Sequence, residues 1–112
     1  MRKNIVAGNW KMNNDLAATK TLISELIELN KTSDAEVMIA PTFVNLMEAS
    51  KLLRETSIRV ASQNMHYAES GAFTGEVSAK MLKAIGVNTV ILGHSERREY
   101  FYEDDLILKQ KV

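Results

Sequence analysis

Short apolar runs alternate along the chain with segments whose apolar residues recur at helical spacing, and this alternation predicts a β/α repeat. Each run has the length and the β-branched or aliphatic composition of a strand that is buried in a parallel sheet. The predicted strands are residues 5–7, 37–40, 58–61 and 89–92. We predict a helix after each strand and a long polar loop over residues 63–75.

Capping residues and the phase of each apolar stripe predict where the helices lie and which residues they bury. Candidate N-caps are Asn13, Asn14 and Asp15 for the first helix, Thr42 for the second and Ser78 for the third. Gly86 is a candidate C′ residue, and the last helix is expected to start near Ser95, break at 103–105 and resume. The residues expected to face inward are Leu16, Thr19, Ile23, Leu26, Ile27 and Asn30, then Phe43, Leu46, Met47 and Leu53, then Met81, Leu82 and Ile85.

This element order predicts an α/β fold with a parallel sheet and right-handed crossovers. Two architectures fit: an open doubly wound sheet, or a closed eightfold β/α barrel of which this chain supplies the first four units. Val112 falls in mid-pattern without a Gly, Pro or polar tail, which favours the half barrel. We therefore expect residues 1–112 to be the N-terminal half of a single domain.

Composition and charge exclude several classes of function. The 112 residues are 46% hydrophobic, as in an ordinary globular protein. Fourteen basic and fourteen acidic side chains cancel without a basic run, so we expect no nucleic acid and no anionic membrane as partner. There is no cysteine, and the apolar run 5–7 is too short for a signal peptide or a membrane span. These features favour a cytoplasmic location.

The segment 89–98 carries the most informative chemistry in the chain. A strand-like run breaks there into Gly93 and His94, and Ser95 is a plausible N-cap with Glu96 in the first helical turn. A histidine beside a helix N-terminus is favoured in its neutral form, which can donate a hydrogen bond to a polarised oxygen. The alternative is a histidine that only caps or packs at the turn.

A second polar group follows the first predicted strand. Asn9 and Lys11 come directly after residues 5–7, and the carboxyl ends of parallel strands meet at one sheet edge. We therefore expect both side chains to lie near His94, with Lys11 supplying a positive charge and Asn9 an uncharged donor. The alternatives are a solvated surface lysine and a turn asparagine in a left-handed conformation, and Trp10 is expected to pack in the core.

Four segments closely resemble the triosephosphate isomerase family, in that family's order: 7–13, 63–64, 71–76 and 91–98. The resemblance implies a (β/α)8 TIM barrel and the interconversion of dihydroxyacetone phosphate and glyceraldehyde 3-phosphate in glycolysis and gluconeogenesis. It implies no cofactor and no metal. A neutral histidine electrophile in this enzyme is also a standard example of how proteins tune acid–base groups.

The resemblance also implies roles for individual residues. Asn9 and Lys11 look like the substrate-binding pair, His94 like the catalytic electrophile and Glu96 like the carboxylate beside Lys11. Ser95 resembles the residue that holds the resting general base, and Arg97 is expected to pair with Glu103. Arg98 is expected to be solvated, and His66 is given no catalytic role.

Two further expectations concern partners. Thr74 resembles the tip of an interlocking loop, which starts at Gln63 and ends at Glu76 and would form a homodimer. The family's glutamate base lies in the half of the barrel that this chain lacks, so the chain alone should be nearly inactive. The alternative is a non-catalytic half barrel that associates with itself or binds phosphate without turnover.

Overall fold

The computed structural model describes residues 2–32 and 34–112, and within them it contains four strands and five helices. The strands are β1 (Ile5–Asn9), β2 (Glu36–Ala40), β3 (Arg59–Ser62) and β4 (Thr89–Val90). The helices are α1 (Leu16–Leu29), α2 (Phe43–Leu53), α3 (Ala79–Ala84), α4 (Ser95–Tyr100) and α5 (Asp105–Lys111). The predicted α/β class and all four predicted strands are confirmed.

The sheet is parallel and its strands follow the order of the chain, β1-β2-β3-β4. A doubly wound sheet reverses direction at a switch point between strands, whereas this sheet adds each strand beside the previous one. Right-handed crossovers in one direction place the helices on the same face. Of the two predicted architectures, this order is that of consecutive β/α units of a barrel.

The hydrophobic core lies between that face of the sheet and the helices. Its central side chains come from strands and helices alike and are almost completely buried. They are Ile23, Ile39, Leu46, Ala49, Leu53, Ile58, Val60, Leu82 and Val87. Trp10 packs against this cluster, as predicted.

The first strand is far more exposed than its sequence predicted. Ile5 is 57% exposed and Val6 is 59% exposed. Within the described residues β1 pairs only with β2, so its other edge is open. Thr89 and Val90 are also only partly buried. The prediction that these strands are buried on both faces is therefore wrong for this chain.

Helix α2 buries Leu46 and Leu53, as predicted, but not the other two residues that were expected to face inward. Met47 is 67% exposed and Phe43 is 37% exposed, whereas Asn45 and Ala49 are buried. Asn45 can be buried because its side-chain amide donates to the backbone oxygen of Asn14 at 2.9 Å and to Thr42 Oγ1 at 3.2 Å. Thr42 is the N-cap residue, but its hydroxyl caps no backbone amide and accepts from Asn45 instead.

The other predicted helix ends agree closely with the structure. Asp15 caps α1, and Ser78 caps α3 by accepting from the Met81 amide at 3.2 Å. Gly86 has a φ of +84°, the left-handed conformation expected of a C′ glycine. Met81 itself is 53% exposed, so its predicted burial is wrong, while its neighbour Leu82 is buried.

The last helical segment is interrupted, as predicted. Helix α4 ends at Tyr100, Tyr102 takes a left-handed φ of 56°, and Asp104 then caps α5 by accepting from the Ile107 amide. The break therefore begins two residues before the predicted position at Glu103. It turns α5 back toward the carboxyl end of the sheet, where Lys111 meets Asn64.

Candidate functional site

The carboxyl ends of β1 and β4 border one cavity of about 310 Å³. Asn9, Lys11, Gln63, His94 and Glu96 all line it. Parallel β/α folds place their ligands at this edge because the loops that follow the strands converge there. The structure thus brings Asn9, Lys11 and His94 together, as the sequence predicted.

Lys11 has an unusual backbone that its neighbours hold in place. Its φ is 56°, in the left-handed region that a lysine occupies only at a cost. The Lys11 amide donates to Asn9 Oδ1 at 2.9 Å, and its carbonyl accepts from Gln63 Nε2 at 2.7 Å. Gln63 Nε2 also donates to the Ala40 carbonyl at 2.8 Å, which links the ends of β1, β2 and β3.

These contacts decide between the alternative interpretations of Asn9. Asn9 is the last residue of β1 and has no positive φ, so it is not a left-handed turn residue. The left-handed residue is Lys11. Because Asn9 Oδ1 accepts the Lys11 amide, the Asn9 side-chain NH₂ is the group that remains to donate into the cavity.

The Lys11 side chain forms an ion pair with Glu96, at 2.8 Å between Nζ and Oε1. The hydrogen bond to Glu96 raises the pKa of Lys11, and the same bond lowers the pKa of Glu96. Both side chains are about half exposed, at 52% and 41%. Lys11 is therefore held in its charged form at the rim of the cavity rather than lying free in solvent.

His94, not Ser95, is the N-cap of α4. Its Nδ1 accepts a hydrogen bond from the Glu96 amide at 3.1 Å, which requires that nitrogen to be unprotonated. In the neutral ring the proton then lies on Nε2, and this N–H remains available to a ligand. The predicted cap at Ser95 is wrong because the imidazole itself caps the helix.

Arg98 is not merely solvated, as the sequence suggested. Its Nε donates to the Gly93 carbonyl at 3.1 Å, and its Nη1 lies 2.9 Å from Asp105 Oδ1. Gly93 has a φ of +72°, and a Cβ there would lie 3.1 Å from Leu108 Cδ1. The backbone conformation immediately before His94 thus favours glycine, and a Cβ there would crowd the Leu108 side chain of α5.

A buried ion network lies behind α4. The predicted pair is present, with Arg97 Nε 3.1 Å from Glu103 Oε2. The sequence did not predict Lys111, whose Nζ lies 2.5 Å from Glu103 Oε2 and 2.8 Å from Asn64 Oδ1. Burial alone would raise the pKa of Glu103, but hydrogen bonds from Lys111 and Arg97 outweigh it and hold that pKa below its usual range.

Other residues singled out in the sequence lie away from the cavity. Thr74 is exposed in the loop between β3 and α3, and Ser95 is exposed as the first residue of α4. The ring of His66 lies 4.2 Å from those of Tyr67 and Phe73, so it packs within that loop. None of these five side chains lines the cavity.

Gln63 is the site residue to which the sequence assigned no role. It lies within a quoted motif, but its two acceptors are backbone carbonyls 52 and 23 residues away in sequence. The available signal was its position one residue after β3, at the same sheet edge as Asn9 and His94.

The described residues lack the features of two other kinds of site. In ranges 2–32 and 34–112, no group of three or more His, Asp or Glu side chains is placed to hold a metal ion. No helix in these ranges has both the length and the apolar character needed to cross a membrane.

A parallel sheet in chain order, with polar side chains at the carboxyl ends of β1 and β4, defines the β/α-barrel class of proteins. Residues 4–112 match the family model described as Triosephosphate isomerase. The chain belongs to the triosephosphate isomerase family.

Several relatives named triosephosphate isomerase match the whole chain. The Flavobacterium psychrophilum protein is 61% identical, that of Flavobacterium johnsoniae 58% and that of Clostridium acetobutylicum 54%. Each alignment covers 100% of this chain but only 45% of the relative, and it lies in the relative's N-terminal part. The chain thus spans less than half the length of these proteins.

Proposed function

We propose that this chain supplies one part of a triosephosphate isomerase site, which interconverts dihydroxyacetone phosphate and glyceraldehyde 3-phosphate without a cofactor. The observation that carries the proposal is the shared cavity of Asn9, Lys11 and His94. A hydrogen-bond donor, a fixed cation and a neutral imidazole N–H are the groups that an enediolate intermediate requires. Family membership supports the same reaction.

Each side chain has a defined task in this reaction. Nε2–H of His94 donates to the carbonyl oxygen, which becomes the enediolate oxygen when a proton leaves the adjacent carbon. His94 then moves a proton between the two oxygens as the second carbonyl forms. Lys11, paired with Glu96, offsets the charge of the phosphate and the enediolate, and Asn9 donates to the same oxygens.

The proton on carbon must be taken by a base that this chain does not supply. The family resemblance places that glutamate in the C-terminal half of the barrel. A general base contributes about a hundredfold to ten-thousandfold, so the 112-residue chain should be nearly inactive alone. We infer that residues 1–112 form the N-terminal half of one domain, which a C-terminal half completes.

The loop from Gln63 to Glu76 supports a homodimer of the completed protein. Thr74 is exposed in this loop, and Phe73 beside it is 39% exposed. An exposed aromatic ring next to an exposed threonine suits insertion into a second subunit. The substrate class and the family favour a cytoplasmic location.

One observation favours a second candidate function, a half barrel that associates with itself. Ile5 and Val6 are more than half exposed on a strand with an open edge, which a second copy could cover. A chain of this kind would be a dimer of 112-residue units without isomerase activity. Sedimentation equilibrium of the pure chain distinguishes this candidate, because a stable dimer that excludes the second half would support it.

Reconstitution tests the isomerase proposal. The chain would be coexpressed with the part of the Flavobacterium psychrophilum relative that lies beyond the alignment. We expect isomerase activity in the complex, and Lys11→Met should abolish its binding of a phosphate-bearing inhibitor. Lys109→Met, which removes an exposed lysine of α5, is the matched control and should bind normally. Unchanged inhibitor affinity in Lys11→Met would contradict the role of Lys11.

A further inference from the structure

A second and larger cavity lies at the opposite edge of the sheet. It has a volume of about 830 Å³ and lies between α2, α3 and the first residues of β3 and β4, Arg59 and Thr89. The candidate isomerase site lies at the carboxyl ends of the strands, whereas this groove lies at their amino ends. The two cavities share no lining residue.

Three cations on this groove have no partner among the described residues. They are Lys51, Arg54 and Lys83. In ranges 2–32 and 34–112, seven other lysines and arginines form ion pairs, among them Arg59, which also lines this groove and pairs with Glu36. Glu48 also lines the groove, but its carboxylate lies 3.9 Å from Lys20 Nζ, so the three unpaired cations give this groove an uncompensated positive charge in a chain whose formal net charge is zero.

Lys51 and Lys83 lie in the last turns of α2 and α3, and Arg54 directly follows α2. Cations often lie at helix C-termini because the last carbonyls are unsatisfied. Here two of those carbonyls have other partners. The Leu53 carbonyl of α2 accepts from Thr56, and the Leu82 carbonyl of α3 accepts from the amides of Ile85 and Val87.

The Ile85 carbonyl, just beyond α3, accepts from the Ser50 hydroxyl at 2.6 Å. This bond joins the C-terminal ends of the two helices across the groove. The groove is thus built by main-chain and hydroxyl hydrogen bonds, and the three cations at its border remain free to bind a ligand.

We propose that this groove binds a small organic anion that carries two or more phosphate or carboxylate groups. Its volume is in the range of small-molecule sites, about 300 to 1,000 Å³. The cations Lys51, Arg54 and Lys83 supply the charge, the exposed Asn88 adds an amide donor, and Ile58 is part of an aliphatic floor. None of the described residues on the groove is aromatic, so there is no platform for stacking a nucleobase.

Isothermal titration with inorganic tripolyphosphate tests this proposal at near-physiological ionic strength. All proteins would carry Lys11→Met, so that the candidate isomerase site does not compete for the probe. We expect one binding site per chain, and the triple variant Lys51→Gln, Arg54→Gln, Lys83→Gln should bind about tenfold more weakly or not at all.

The matched control is Lys3→Gln, Lys80→Gln, Lys109→Gln, which removes the same charge from unpaired lysines outside the groove. It should bind within about twofold of the parent, because exposed charges at a distance are screened by salt. Amide NMR shifts should move at Gly86 and Asn88 and not at Gly93. Equal losses in both triple variants, or no binding by the parent protein, would overturn the proposal.

Discussion

At the scale of single residues, the site side chains that follow a strand could be predicted from the sequence. The contacts between residues far apart in sequence could not. His94, Asn9 and Lys11 could be predicted because each carries a reactive or charged group directly after a strand. The contacts of Gln63 and Lys111 could not be predicted, since their partners lie 52 and 47 residues away in sequence. The N-cap of α4 was predicted at Ser95 because hydroxyl side chains are common caps, whereas the structure has His94 Nδ1 accepting from the Glu96 amide.

Removing the Gln63 side chain should loosen Lys11. Gln63→Ala loses the hydrogen bonds to the Lys11 and Ala40 carbonyls, which we expect to destabilise the fold by about 1 to 2 kcal/mol. In the reconstituted complex the isomerase kcat should fall about tenfold, because Lys11 no longer holds its strained backbone. Urea unfolding and steady-state kinetics measure these effects. Gln110→Ala, at an exposed position of α5, should change neither.

The Lys11–Glu96 ion pair predicts a specific dependence on pH. Lys11 lowers the folded pKa of Glu96. The ion pair is therefore complete at pH values above the ordinary pKa of a glutamate, and it is lost as pH falls through the lowered folded pKa. An NMR titration of the Glu96 carboxyl carbon should show this. Lys11→Met should raise the pKa of Glu96, whereas Lys109→Met should not. A midpoint unaffected by Lys11→Met would contradict the pairing.

At the scale of elements, the sequence predicts well where local signals act alone. Asp15, Ser78 and Gly86 cap their helices as predicted, because each cap involves residues within one turn. In α2 the burial of Leu46 and Leu53 was predicted, but that of Asn45 was not, because Asn45 contacts Asn14 through a hydrogen bond that an apolar stripe does not show. The break between α4 and α5 was visible in its polar residues, whereas the ion network that fastens α5 was not.

The network of Lys111, Glu103 and Arg97 should stabilise the docking of α5. Lys111 and Glu103 are 4% and 5% exposed, so removing one partner leaves a buried charge. We expect Lys111→Ala to destabilise the fold by about 3 kcal/mol, measured by denaturant unfolding. Lys109→Ala on the same helix should cost no more than about 0.5 kcal/mol.

Glu103 should also contribute to acid unfolding. Its lowered folded pKa means that its stabilising contribution is complete above the unfolded carboxyl pKa and is lost as pH falls through the folded value. Glu103→Gln should therefore be less stable than the parent at neutral pH, and the difference should shrink below about pH 4. A difference in stability that does not depend on pH would contradict this assignment.

At the scale of the whole molecule, the strand order was predicted by the repeat, but the exposure of β1 was not. The composition of residues 5–7 is typical of a strand that is covered on both faces. In the described residues, however, β1 pairs at one edge only, and its side chains Ile5 and Val6 are more than half exposed. The chain covers 45% of its relatives. On the proposal that a C-terminal half completes the barrel, that half would cover β1, and the buried sequence pattern would describe the completed domain.

Hydrogen exchange tests whether a second half covers β1. In the chain alone we expect the amides of Ile5 and Val6 to exchange faster than those of Val60 and Ala61, which lie in a central strand. Complex formation with the second half should slow exchange in β1 and leave Val60 nearly unchanged. Equal protection of β1 before and after assembly would show that the second half does not cover this strand.

The isomerase rate of the 112-residue chain, measured alone and in complex with the C-terminal part of its Flavobacterium psychrophilum relative, tests the proposed division of the site most directly. We predict almost no turnover by the chain alone and a rate at least about a hundredfold higher in the complex, because the complex adds the general base. Full turnover by the chain alone, or an assembled complex without turnover, would contradict the proposed function.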